Sequence, residues 1–110
     1  MEPFPENIAR FIEANIDSVD QLEILRFLAT DRAKEWTPAA LARAMQTPPQ
    51  TIAAHVDILE RRGLLVTVRG PNLSCRYSAR TPQLEGEVTD LLRHYNQRPV
   101  TMIRMIYDRG

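Results

Sequence analysis

Residues 37–68 read TPAALARAMQTPPQTIAAHVDILERRGLLVTV, and the punctuation of this stretch decides the architecture. Thr37 before Pro38 places a side-chain oxygen at an N-cap and proline at the first helical position, where its missing N–H is no loss. Leu41, Ala42 and Met45 give the short helix that follows its inner face. Thr47-Pro48-Pro49-Gln50 reads as a capping box opening a longer helix over about 49–62. In it Ile52, Val56 and Leu59, at spacings of four and three, form the buried stripe. Gly63 falls where a left-handed C′ residue would stop the helix. The period then changes. Leu64 to Val68 is apolar and β-branched, Gly70-Pro71-Asn72 supplies turn chemistry, and Ser74 to Ser78 alternates like a second strand.

Working outward, Pro5 opens a segment in which Ile8, Phe11, Ile12 and Ile16 fall at helical spacing. Ser18 to Gln21 is another capping box, ahead of the stripe Leu22, Leu25, Leu28 and Ala29 of a helix ending near Thr30-Asp31. On the C-terminal side Thr81-Pro82 starts a helix carrying Leu84, Val88, Leu91, Leu92 and Tyr95. Arg98-Pro99 breaks it, and Val100 to Tyr107 reads as a last, very apolar helix with Met102, Ile103, Met105 and Ile106. The expected order is α-α-α-α-β-β-α-α, mainly α with a small β-hairpin. Two helices across a tight turn with a hairpin directly behind them make a winged helix-turn-helix. The expected organisation is one domain over residues 1–110, with an N-terminal helix (1–17), a winged core (18–80) and C-terminal helices (81–110).

Composition narrows the function. At 110 residues, 44% apolar and 25% charged, the chain can bury one ordinary core. No apolar run is long enough for a membrane span, the acidic start offers no secretory signal, and Cys75 is the single cysteine, so a cytoplasmic location is expected. His55 and His94 with one cysteine make no metal-ligand cluster. No nucleophile–base motif or glycine-rich phosphate loop occurs, so neither an enzyme nor a cofactor is expected. Net charge is zero but uneven: residues 1–35 hold eight acids against four bases, whereas residues 47–80 hold five arginines against Asp57 and Glu60. Positive charge thus gathers in the helix-turn-helix third.

The stretch LARAMQTPPQTIAAHVDILERRGLL, with CRYSA after it, resembles the DNA-binding core of ArsR- and MarR-type regulators. The positions that carry the resemblance are Leu41-Ala42, Thr51-Ile52, His55-Val56, Ile58-Leu59 and Gly63-Leu64; it covers roughly residues 20–92 and leans to the ArsR side. It implies double-stranded DNA as partner and a homodimer built from terminal helices. The Cys or His pairs of ArsR-type metal sensors have no counterpart here, so metal sensing is not implied.

On a 100° wheel Gln50, Ala54, Asp57 and Arg61 lie opposite the buried stripe of the helix at 49–62, with Thr51 and Ile58 on one flank. Gln50 can read adenine and Thr51 a phosphate or a thymine methyl, while Arg69 and Arg76 flank the hairpin tip where a wing meets backbone or minor groove. The candidate DNA contacts are Arg43, Thr47, Gln50, Thr51, Ala54, His55, Arg61, Arg69, Asn72 and Arg76. His55 also suits a packed position at the edge of the core, and Cys75 a structural small residue or a thiol switch. The candidate dimer contacts are Ile8, Phe11, Ile12, Leu91, Tyr95, Met102, Ile103 and Ile106. Ala54 and Asp57 on the reading face, with Ile58 beside them, keep open a second reading: a winged-helix module that docks a protein partner instead of DNA.

Overall fold

The computed structural model describes residues 5–68 and 70–109. Its elements are α1 (Glu6–Asn15), α2 (Val19–Thr30), α3 (Pro38–Met45), α4 (Pro49–Arg61), β1 (Leu65–Val68), β2 (Ser74–Tyr77), α5 (Pro82–Gln97) and α6 (Pro99–Arg109). This is the expected order. Ser18, Thr37 and Thr81 each accept a hydrogen bond from the backbone N–H three residues on, at Gln21, Ala40 and Leu84, so three of the helix starts are set by local chemistry.

Thr47 is the exception. Its hydroxyl donates back to the Met45 carbonyl (3.2 Å), and Pro48 takes the N-cap of α4 without any side-chain cap. The reason is steric. A residue before proline is pushed out of the helical region, and Pro48 (ψ 138°) precedes Pro49, so the helix cannot begin until Pro49 and Thr47 lies one position too early to cap it. The expected capping box at Thr47–Gln50 is therefore corrected.

The C-terminal end of α4 follows the expectation in detail. Gly63 has φ +79°, its N–H bonds the Glu60 carbonyl (3.0 Å) and the Leu64 N–H bonds Leu59 (3.1 Å), a Schellman pair. A Cβ at residue 63 would lie 2.9 Å from the Arg80 Cβ, so both conformation and space call for glycine. β1 and β2 pair antiparallel in the register Leu65 to Tyr77 and Val68 to Ser74. Trp36, in the α2–α3 connection, adds a bridge on the other side of β2: its N–H and carbonyl exchange bonds with Cys75 at 2.7 and 2.8 Å.

One core runs through all of these elements, with Leu22, Ile24, Leu25, Leu28, Leu41, Ile52, Leu59 and Leu64 fully buried at its centre. The terminal helices belong to it. Ile8, Phe11, Ile12, Leu91, Tyr95, Met102 and Ile106 are all buried within the single chain, where α1 packs on α5 and α6 on α5 and α2. These side chains, expected at a dimer contact, instead complete the chain's own core; of that set only Ile103 is half-buried. The apolar excess at the two ends covers α2 and α5, which a core of α2–α4 and the hairpin alone would leave bare.

Candidate nucleic-acid interface

Helix α4 separates its two faces as the wheel predicts. Ile52, Val56 and Leu59 point inward, and Gln50, Ala53, Ala54, Asp57 and Arg61 are exposed. What aims this face outward is the turn before it. Gln46 adopts the left-handed conformation (φ 54°) and its N–H returns to Arg43, ending α3, while Pro48 and Pro49 restart the chain in a new direction. Three residues thus suffice to reorient the backbone between the two helices.

The candidate contacts fall into three groups. Arg43 at the end of α3, Gln50 and Ala54 on α4, Asn72 in the hairpin turn and Arg76 on the outer face of β2 are exposed. Thr47 and Thr51 are half-buried at the start of α4, with Thr47 also committed to Met45. Arg61 and His55 already have partners inside the chain. Arg61 pairs with Asp57 one turn earlier (2.9 Å), both side chains well exposed, so the acid expected to oppose DNA sits beside a base that offsets it. Such an exposed pair contributes only tenths of a kcal/mol and opens readily to a competing phosphate. His55 is half-buried with Nδ1 against the Gln21 amide nitrogen (3.1 Å). Arg69 lies outside the described residues. Among those described, Arg43 and Arg76 are exposed arginines with no ion pair.

Sequence reasoning missed the braces behind this face. Arg62 belongs to no surface pair on α4; it crosses to the α1–α2 connection, bonding the Asn15 carbonyl and Asp17 (2.9 Å). Glu60 accepts both the backbone N–H (3.0 Å) and the hydroxyl (2.6 Å) of Thr67, tying α4 to the first wing strand and satisfying an N–H on that strand's open edge. At the wing root the Tyr77 hydroxyl donates to Glu85, which also pairs with Arg32, while the Arg32 guanidinium lies 4.7 Å from the Tyr77 ring centre. The Tyr77 hydroxyl and Arg32 hold the Glu85 carboxyl below the usual range against a smaller opposing effect of burial. Burial, and then the Glu85 carboxylate, push the Tyr77 phenol well above its ordinary value. Tyr95 does the same for α5 against Glu23 of α2, its phenol pushed up to about 12 by burial and by that carboxylate.

Cys75 is 1% exposed and its thiol is pushed up to about 11, first by burial and then by Glu60. A buried, protonated thiol is a poor nucleophile, which supports the structural reading of this residue over the thiol switch. No group of three metal-ligating side chains occurs among the described residues, and no described helix is long and apolar enough to cross a membrane.

Comparison with known proteins agrees with this geometry. Residues 20–69, from α2 through the end of β1, match the family model of a helix-turn-helix domain. The chain is a winged helix-turn-helix protein. HlyU from Vibrio cholerae, in its reduced form, superposes with a TM-score of 0.61 at 19% identity, over 80% of this chain and 88% of its own. BldR from Sulfolobus solfataricus gives 0.60 at 20% identity, over 87% and 70%. MepR from S. aureus, in a structure with DNA, gives 0.61 at 15% identity, over 96% and 90%. At such identities the shared property is the winged helix itself. No curated protein sequence matches the chain.

Proposed function

We propose that this winged helix is a DNA-binding transcriptional regulator that acts as a homodimer, with α4 in the major groove and the wing along backbone or minor groove. The observation that carries it is the exposed face of α4. Gln50, Ala54, Asp57 and Arg61 follow one another along a helix whose opposite face is wholly buried, and Arg43 and Arg76 stand exposed before and after it in the chain. That is a hydrogen-bonding surface on a rigid support, with an exposed arginine on either side of it in the chain and a wing beside it. The solved MepR structure with DNA supports the reading by analogy of fold. A non-enzymatic role fits the same picture, since no motif in the chain supplies a nucleophile and its base.

With its core-facing side used inside the chain, α6 retains Val100 and Tyr107, 64% and 72% exposed, and half-buried Ile103. These stand three and four residues apart on one helical face, and we assign the dimer contact to that stripe. The deciding experiment is selection of bound duplexes from a random pool, followed by salt titration of the winner. Specific binding with a steep salt slope supports the proposal. Uniformly weak affinity for every duplex sinks it, and then the Asp57–Arg61 pair, which leaves the face close to neutral, favours docking of a protein partner.

A further inference from the structure

Gln21 is the one polar side chain buried in the core of the described residues, 1% exposed at the junction of the α1–α2 connection, α2 and α4. Each end of its amide is committed. Oε1 accepts the Asp17 backbone N–H (2.7 Å) and an Arg62 N–H (3.3 Å), and Nε2 lies 3.1 Å from His55 Nδ1. A backbone N–H and a guanidinium can only donate, so the amide orientation is forced: oxygen toward Asp17 and Arg62, nitrogen toward His55. An amide nitrogen can only donate as well. His55 Nδ1 must therefore accept, and its one ring proton sits on Nε2.

We propose that His55 is a positioning residue that seats the recognition helix only as the neutral Nε2–H imidazole, so that acid loosens α4 from the α1–α2 junction. Protonation puts a second N–H on Nδ1, facing the NH2 of Gln21. Rotating the amide does not help, because NH2 would then face Asp17 N–H and Arg62. Either arrangement leaves donor against donor beside the buried Gln21 amide.

The charged groups around this contact do not offset the loss. Arg62 shares Gln21 with His55, and Asp17 is held by Arg62 at 2.9 Å. From α2, Asp20 lines a cleft toward Ile106 and Tyr107, and Glu23 is taken by Arg26 and Tyr95. Helix α3 brings only exposed Arg43, and β1 has no titratable side chain. His94, the other histidine, bonds the Asp90 carbonyl through Nδ1, a donor role that both protonation states fill.

Seating is a property of the fold alone; its consequence for DNA rests on the function proposed above, and the two are tested separately. With the full chain, 15N spectra of the histidines at pH 8 should show His55 protonated at Nε2 and bare at Nδ1. Between pH 8 and pH 5.5 the wild type should lose about 4–8 °C of Tm beyond any loss in His55→Gln, whose carbonyl accepts from Gln21 at every pH. Gln21→Glu should reverse the sign, because a carboxylate accepts from protonated His55. An Nδ1–H tautomer, an equal Tm loss in His55→Gln, or an unreversed sign in a folded Gln21→Glu would each overturn the proposal. On a selected duplex, wild-type affinity should fall about 3–10-fold on acidification relative to His55→Gln, the factor one lost hydrogen bond supplies. If acid instead tightens binding through His55, the residue is a phosphate contact and the positioning role is wrong. If no duplex is ever selected, the spectra and Tm still decide the seating, and only the DNA reading has failed.

Discussion

The two ends of α4 are built on opposite plans. At its C-terminal end the backbone closes in a Schellman pair at Gly63, Arg62 reaches the α1–α2 connection, Glu60 holds Thr67, and Arg80 lies over the glycine. At its N-terminal end Pro48 supplies no side-chain cap, and Gln50 and Ala53 are exposed. One end is anchored by polar neighbours from three other parts of the chain; at the other, buried Ile52 holds the inner face while two prolines and a left-handed Gln46 set the direction. Stability is thus concentrated at one end of the helix and exposed side chains at the other. A helix that must present its first turns to a ligand can be fixed firmly at the far end and still leave those turns free to be read.

That contrast can be broken by substitution, most forcefully from the anchored half. Leu59→Ala should cost about 2–5 kcal/mol in denaturant unfolding, since the side chain is wholly buried and its space cannot collapse easily. Gly63→Val should cost about 2 kcal/mol by the same measurement, combining a left-handed backbone with the close approach of Arg80. If either variant unfolds like the wild type, the anchored end is not what holds the helix.

Smaller effects are expected elsewhere. Thr37→Ala should cost about 1 kcal/mol as a true N-cap, whereas Thr47→Ala should fall within about 0.5 kcal/mol. Equal losses would restore Thr47 as the cap of α4. Gln50→Ala should leave unfolding unchanged to about 0.5 kcal/mol yet relax selectivity at one base pair by about 1–3 kcal/mol in duplex competition. Cys75 should have the least effect near neutral pH. Its thiol is raised in the folded chain, so the stability it contributes is complete below the ordinary thiol range and is lost as pH climbs toward about 11. Thiol labelling at pH 7 should accordingly require unfolding, and rapid labelling of the native chain would contradict its burial.

Most of the fold was legible because it is written in local chemistry. Ser18, Thr37, Thr81 and Gly63 act through bonds three to five residues long, and each does what its residue type suggests. Thr47 misled because two successive prolines move the helix start by one residue, a steric effect that outranks the four-residue pattern. The strand partner at Trp36 was invisible, since a single bridged residue has no periodicity to detect. Hub contacts such as Gln21 with His55, 34 residues apart, depend on how helices dock and leave no spacing signal. The terminal helices showed their apolar stripes plainly, yet a stripe does not say whether it covers the same chain or a second copy; Phe11 and Met102 turned inward. For the candidate interface, exposure of Gln50, Ala54 and Arg76 and the half-burial of His55 followed from the wheel and the hairpin, whereas the Gln21 partner of His55 did not.

Trp36 gives the molecule a natural optical probe. It is the sole tryptophan, its ring meets Phe27 edge-on at 5.7 Å, the Lys34 ammonium lies 3.8 Å from the ring centre, and its backbone is hydrogen-bonded to the middle of β2. Indole emission therefore comes from a single address, the seam where the helical layer meets the wing. Its wavelength and quenching follow the docking of that hairpin without any label, so mixing the unmodified chain with duplex in a stopped-flow cell reads directly whether the wing moves and how fast.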